Sequence, residues 1–274
     1  MDFSSKEFQQ AKKAVLAAGQ AVIDIYQRES KELHITDKAD RSPVTEADFK
    51  SEEIILNFLR PFNYGLLSEE TDEENKRLSQ EYVWIIDPLD GTKDFINQTG
   101  DFSIMIGLVW QGEAVLGLVY QPVQNRLYYG IKGRGAFLEE GRHKRRLQVS
   151  DVQDFSRARL LVSRFHLREM EKHLKDKVQI GELVACGSAG LKIGHIAAGE
   201  AEIYVNSSNK TGEWDICAAD IILQEAGGKI TDIEGQKIIY NKPTPYNPRG
   251  FVATNGYLHS RVIDSLRQFA YLLK

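Results

Sequence analysis

The chain has 274 residues, a formal net charge of −4 and 42% hydrophobic residues, the composition of a soluble globular protein. That length fits one large domain or two modest ones, and the balanced charge excludes a basic field that would hold nucleic acid non-specifically; a small anionic ligand needs only local positive charge. Cys186 and Cys217 show no zinc-type spacing, so two reduced thiols are expected; the N-terminus lacks the apolar core of a secretory signal and no apolar run reaches the ~20 residues that cross a bilayer, so a cytoplasmic location is expected.

Residues 5–27 read as an amphipathic helix, with Phe8, Ala11, Val15, Ala18, Val22, Ile25 and Tyr26 recurring at three- and four-residue steps. A polar stretch over 28–42 is closed by Pro43. Residues 47–59 predict a second helix, with Ile54, Ile55 and Phe58 on its buried side and Pro61 ending it. A short strand is expected at 64–67 and a surface loop or short helix over the acidic run 70–80. Residues 83–86, Val-Trp-Ile-Ile, predict a buried strand that stops at Asp87-Pro88.

From 102 to about 149, short β-rich runs alternate with turn residues at hairpin spacing, which predicts an antiparallel meander. After about 150 the texture changes to strand (159–163), helix (167–176), strand (178–188), helix (189–200), strand (201–206), helix (215–226), strands (229–235 and 251–255) and a closing helix (257–273). This alternation implies an α/β layer. The expected organisation is an α+β first half, 1–150, with an antiparallel sheet and the metal-binding segments, and an α/β second half, 151–274.

The chemistry concentrates in acidic segments. In WIIDPLDGTKDF (84–95), a buried strand delivers Asp87, and Pro88 and Gly91 turn the chain to bring Asp90 beside it. Such close carboxylates repel and raise a pKa unless a cation lies between them. Magnesium, which prefers oxygen ligands, resolves that conflict, and the Leu89 carbonyl is a further oxygen in the turn. A helix starting after Gly91 would present amides to a phosphate. A bare DxxDG also serves plain turn geometry.

Glu69 follows a short apolar strand in LLSEET and is a third ligand candidate. Asp215 stands where the 215–226 helix begins, either as an N-cap or as a cap that also ligates a metal. In SPVTEAD, Thr45 caps the second helix with Asp48 as a first-turn acid, or Asp48 points inward and accepts a hydrogen bond from Thr92. The basic run 142–146 falls in a hairpin turn, and His195 falls on an apolar helix face, packed rather than catalytic.

Together, Thr45 to Asp48, Glu69-Glu70, Asp87-Pro88-Leu89-Asp90-Gly91-Thr92 and Trp214-Asp215 with Glu225-Ala226-Gly227-Gly228 resemble the lithium-sensitive, magnesium-dependent phosphatases of the inositol monophosphatase superfamily. The resemblance implies a five-layer αβαβα sandwich, usually a homodimer. It implies that Glu69, Asp87, Asp90, Asp215 and the Leu89 carbonyl hold two or three Mg²⁺. Asp48 and Thr92, with Glu69, would activate the nucleophilic water, and the Gly91 and Thr92 amides would cradle the phosphate. Ser68 stands where the family usually has Gly.

Within the superfamily, residues 87–103 and 186–205 are most similar to CysQ-type 3'(2'),5'-bisphosphate nucleotidases of sulfur assimilation. That likeness implies hydrolysis of adenosine 3',5'-bisphosphate to AMP and phosphate, with Ser188, Lys192 and Lys210 as substrate-binding residues, inhibition by Li⁺, and no nucleic-acid or membrane partner. No arginine lies between Glu202 and Asp215, where some of these nucleotidases have one. The same ligand set also serves inositol monophosphatases and fructose-1,6-bisphosphatase-like enzymes, and a non-catalytic, RNA-associated regulator on the same fold is the alternative of another class.

Overall fold

The computed structural model describes every residue except 3, 29–34, 38–42, 72–75, 166–168 and 269–274. Most of the polar stretch 28–42 with Ser42, part of the acidic run, the start of the 167–176 helix and the end of the 257–273 helix lie outside the described residues.

Helix α1 (Lys6–Tyr26) starts where the Ser5 hydroxyl accepts the Phe8 amide, and it buries Phe8, Ala11, Val15, Ala18, Val22 and Ile25. Strands β1 (Ile35–Asp37) and β2 (Pro43–Thr45) pair antiparallel and lead into α2 (Glu46–Leu59). On α2, Ile55, Leu56 and Leu59 are buried, while Ile54 and Phe58 are half-buried against the same cluster. Pro61 ends the helix in a 3-10 turn, Arg60–Phe62.

A seven-stranded sheet follows, made of β3 (Gly65–Ser68), β4 (Tyr82–Asp90), β5 (Ser103–Trp110), β6 (Glu113–Gln121), β7 (Arg126–Ile131), β8 (Gly135–Glu140) and β9 (His143–Arg146), with the short helix α3 (Thr92–Ile96) after β4. The strands lie in sequence order; β3 and β4 are parallel and the rest antiparallel, so the expected meander is present. The run 142–146 is a correction: His143–Arg146 is an exposed edge strand rather than a loop. Four consecutive basic residues carry no apolar alternation to announce a strand, and they suit a sheet edge that must repel further pairing.

The second half supplies β10 (Arg159–Val162), α4 (Glu169–Val178), β11 (Glu182–Ala185), α5 (Ala189–Ala197), β12 (Ile203–Asn206), α6 (Cys217–Glu225), β13 (Lys229–Thr231), β14 (Phe251–Thr254) and α7 (His259–Gln268). The five strands order as β11-β10-β12-β14-β13, with β10 parallel to both β11 and β12 and β14 antiparallel to both its neighbours.

Three apolar clusters define five layers. Helices α1 and α2 pack on one face of the seven-stranded sheet through Trp84, Ile86, Ile104 and Ile106. The opposite face, with Ile85, Met105, Val119 and Tyr128, packs on α5 and α6, which in turn cover Leu161, Tyr204, Phe251 and Ala253 of the second sheet. The far face of that sheet, with Leu160, Val162 and Val205, takes Met170 and Leu174 of α4 and Val262, Ile263 and Leu266 of α7. The fold is thus a layered αβαβα sandwich. Burying each such Leu, Ile, Val or Phe contributes roughly 1.5–3 kcal/mol.

Two features aim this sandwich at one place. Gly107, Gly117 and Gly130 are register partners across β5, β6 and β7. A Cβ on Gly117 would lie 2.0 Å from the Ala218 carbonyl oxygen, and one on Gly107 would lie 2.7 Å from Cys217 Sγ, so only bare backbone admits α6 this close to the sheet. The chain entering α6 is thereby pressed against the end of β4. The parallel strands β10, β11 and β12 also point their carboxyl ends there. Their crossovers diverge, α4 to the outer face and α5 to the inner one, which opens the crevice that binds ligands in α/β sheets.

Candidate active site

Strand β4 does not stop at Asp87 as the sequence suggested. It continues through Pro88 to Asp90, because pairing with β5 resumes beyond a bulge: Asp87 faces Met105 and Asp90 faces Ser103. Three residues in a regular strand would put these aspartates on opposite faces. The extra residue in β4 restores them to one face, the face turned toward α5 and α6. Pro88 has no N–H to lose there, and its carbonyl accepts the Ser51 hydroxyl at 2.7 Å.

Parallel pairing of β3 with β4 sets Ser68 opposite Ile86, so Glu69 emerges beside Asp87, with its amide donating to the Ile86 carbonyl at 3.2 Å. Asp215 arrives from the segment before α6. Carboxylate oxygens of Asp87, Asp90 and Asp215 lie within 4.8 Å of one another. The N-cap position of α6 belongs to Ile216, so Asp215 is not the expected cap; its carboxylate accepts the Gly212 amide at 2.6 Å. The Glu213 carboxylate, fully buried, takes the Asn241 and Lys242 amides at 2.6 and 3.0 Å and fixes this segment from behind.

Asp48 meets both of its sequence alternatives. One oxygen accepts the Thr45 amide and hydroxyl at 2.8 and 2.7 Å, closing a capping box on α2. The other accepts the Thr92 hydroxyl at 3.4 Å, and Thr92 also reaches the Leu89 carbonyl at 3.3 Å. Gly91, with φ 95°, starts α3, a conformation open to glycine and closed to most side chains.

The electrostatics of this cluster are unbalanced. Burial, followed by the charges of Glu69, Asp90, Asp215 and Asp48, pushes the Asp87 carboxyl well above the usual range. Burial also raises Asp90, opposed by the Ser188 hydroxyl, the Gly190 amide and Lys192. Among the described residues, buried Asp87 Oδ2 finds no hydrogen-bond partner. An orphaned carboxylate oxygen among converging acids fits a hard divalent cation, which satisfies the oxygen and offsets the repulsion.

A pocket of about 380 Å³ opens over the cluster, lined on one side by Glu69, Asp90, Gly91, Thr92 and Asp215. The other side comes from the carboxyl ends of the parallel strands: Ser163 and Phe165 after β10, Gly187 and Ser188 after β11, and Asn206, Ser208 and Lys210 after β12. Ser188 holds φ 51°, a strained region for a residue with a side chain. Its hydroxyl donates to Asp90, shares a 2.9 Å contact with Ser103 and accepts the Leu191 amide at 3.0 Å. Lys192 is buried; its Nζ donates to the Ser188 carbonyl at 3.0 Å and lies 4.8 Å from the centre of the Tyr204 ring. Lys210 is exposed at the mouth.

Every residue singled out from the sequence for catalysis, metal or substrate therefore gathers around this pocket or its floor. His195 lies apart, paired with Glu200 at 2.6 Å. Both cysteines are buried and unbridged. Sequence reasoning missed Phe165, Tyr204 and buried Glu171, which line the pocket without belonging to any motif. No helix among the described residues is long and apolar enough to cross a membrane.

A layered αβαβα sandwich whose carboxylates crowd the floor of an open pocket defines a class of phosphatase. The chain belongs to the inositol monophosphatase family, whose model matches residues 5–270. It is 35% identical over 240 residues to the 3'(2'),5'-bisphosphate nucleotidase CysQ of Aggregatibacter actinomycetemcomitans, covering 86% of this chain and 87% of that one. It is 31% identical to an inositol-1-monophosphatase of Caulobacter vibrioides, over 86% and 91% of the two chains. The crystal structure of CysQ from Bacteroides thetaiotaomicron superposes with a TM-score of 0.76 at 32% identity, over 90% of this chain and 96% of that one.

Proposed function

We propose that this phosphatase is a magnesium-dependent 3'(2'),5'-bisphosphate nucleotidase that hydrolyses adenosine 3',5'-bisphosphate to AMP and phosphate. The observation that carries the hydrolytic part is the convergence of Asp87, Asp90 and Asp215 on one face, with Asp87 Oδ2 left without a donor. Glu69, Asp87, the Leu89 carbonyl, Asp90 and Asp215 would hold Mg²⁺, which supplies positive charge to the phosphoryl oxygens and lowers the pKa of water.

The chain's own groups do the rest. Asp48 engages the Thr92 hydroxyl as acceptor, which turns the lone pairs of Thr92 Oγ1 toward the attacking water; Glu69 would help to orient that water. The Gly91 and Thr92 amides bind phosphoryl oxygens as charge develops on them. No covalent enzyme intermediate is needed: Ser188 is engaged with Asp90, and burial pushes the Cys186 thiol up to about 12. Lys192 and Lys210 offer two positive charges beyond the carboxylates, suited to a substrate with a second phosphate. The CysQ relatives support the nucleotide as substrate.

Phosphate release from adenosine 3',5'-bisphosphate, its sulfated relative PAPS, inositol 1-phosphate and fructose 1,6-bisphosphate, each with Mg²⁺ and with EDTA, tests this reading. The nucleotides should turn over fastest, and only with Mg²⁺. Faster release from inositol 1-phosphate reverses the substrate choice in favour of the Caulobacter-like activity. No release from any of the four favours a regulatory protein on the same fold.

A further inference from the structure

We propose that Phe165 is the platform on which the base of the substrate stacks, making it the residue that selects a nucleotide over other phosphate esters. The inference rests on the nucleotide reading above and concerns the part of the pocket that the carboxylates do not serve.

Phe165 stands in the loop that leaves the carboxyl end of β10 and lines the pocket with 39% of its surface exposed. Phe95, Phe102 and Phe251 are fully buried, so this ring is not one more core residue. The pocket has one other aromatic among the described residues, Tyr204. That ring is 5% exposed and lies beneath Lys192 Nζ, so its face is taken. Phe165 therefore offers the available π-surface in a pocket otherwise lined by acids, lysines, hydroxyls and small side chains.

The residue just before the ring is also held in place. Arg164, the preceding residue, bonds the Asp101 carboxylate and lies 3.5 Å from Asp94, a buried residue of α3. Asp101 in turn accepts the Gly187 amide at 3.3 Å. The neighbour of Phe165 is thus tied both to the turn that follows the carboxylate strand and to the loop that follows β11. A flat ring beside a fixed stretch of backbone suits base stacking: every base has a π-face, and stacking tolerates base identity. A polyol ring has no π-face and offers only C–H groups to pack on it.

The test compares kcat/KM for adenosine 3',5'-bisphosphate with kcat/KM for ribose 3,5-bisphosphate, which keeps both phosphates and lacks the base. The ratio is measured in the wild type, Phe165→Ala and Phe165→Tyr, with Mg²⁺ and with melting curves as a control for folding. The ratio should fall roughly tenfold in the Ala variant, mostly through KM for the nucleotide, and be retained in the Tyr variant. A ratio unchanged in Phe165→Ala overturns the platform and leaves the nucleotidase reading standing, even if both substrates are lost by the same factor. Failure of the wild type to hydrolyse adenosine 3',5'-bisphosphate overturns both.

Discussion

The two sheets approach the pocket from opposite physical regimes. The seven-stranded sheet contributes a half-buried carboxylate at the end of β3 and buried ones on the bulged end of β4, mutually repelling and fixed by strand register. The five-stranded sheet contributes loops at the carboxyl ends of β10, β11 and β12, partly exposed and carrying lysine, hydroxyl and aromatic groups. Charge held in a low-dielectric, register-locked place is suited to bond breaking. Side chains on loops over a rigid scaffold are suited to choosing a substrate. Asp215 and Ser188 join the two, since both arrive from the second half yet act on the carboxylate cluster.

This contrast predicts that damage on one side removes turnover and damage on the other changes selectivity. The largest effect is expected from Asp90→Asn. Phosphate release should fall on the order of 10²–10³-fold or more, with a cooperative melt retained, because the substitution removes a charge without changing shape. Activity near wild type would break the contrast at its strongest point.

Gly187→Ala should damage both sides at once. A Cβ there would lie 2.3 Å from the Asp101 carbonyl oxygen, which is backbone, and 2.4 Å from Cγ of buried Asp94, whose carboxylate is held by the Thr99 hydroxyl. We expect a loss of about 1–3 kcal/mol in a denaturant titration together with reduced turnover. Full stability would mean that the junction yields more easily than its packing implies.

Lys210→Ala should raise KM for a bisphosphate about tenfold and leave kcat nearly intact, the size of one charge-assisted contact at an exposed site. A fall in kcat with KM unchanged would move Lys210 to the catalytic side of the comparison.

In the shared layer the expected effect is on stability alone and leaves turnover untouched. Burial pushes the Asp220 carboxyl on α6 up to about 6, despite hydrogen bonds from Gln224 and Tyr240. The folded value exceeds the unfolded one, so the cost is absent below about pH 4 and complete above about pH 6, where it reaches on the order of 2–3 kcal/mol. Stability falls as pH rises through that window. Buried His259, lowered to about 4, has the opposite slope over the same range, so the whole-protein curve hides both. The difference in Tm between Asp220→Asn and wild type isolates one: it should grow from pH 4.5 to pH 8, and a constant difference would contradict the assignment.

Much of this was legible in the sequence, for physical reasons particular to each residue. The face of α1 and the meander of β5 to β8 follow from apolar periodicity, which burial enforces. Each acidic segment taken alone also suits a plain turn or helix cap, and only the four together, in one order along the chain, made the site legible. The course of β4 past Pro88 was not: proline argues against a strand, and only pairing of Asp90 with Ser103 overrides it. The N-cap of α6 was missed because Asp215 is a good capping residue, and its position is set instead by Gly212 and by the close seat of α6 on the sheet. Arg77, 2% exposed and bonded to Asn241 and the Lys242 carbonyl, had no local signal, since arginine is normally outside. Phe165, Tyr204 and Glu171 enter the pocket only through tertiary closure.

The most direct measurement is a calorimetric titration of Mg²⁺ into the wild type and into an Asp87→Asn, Asp90→Asn double variant, both verified as folded by melting. Saturable binding in the wild type that disappears in the variant is the predicted result. Identical isotherms would mean that these aspartates hold no cation, whatever their proximity.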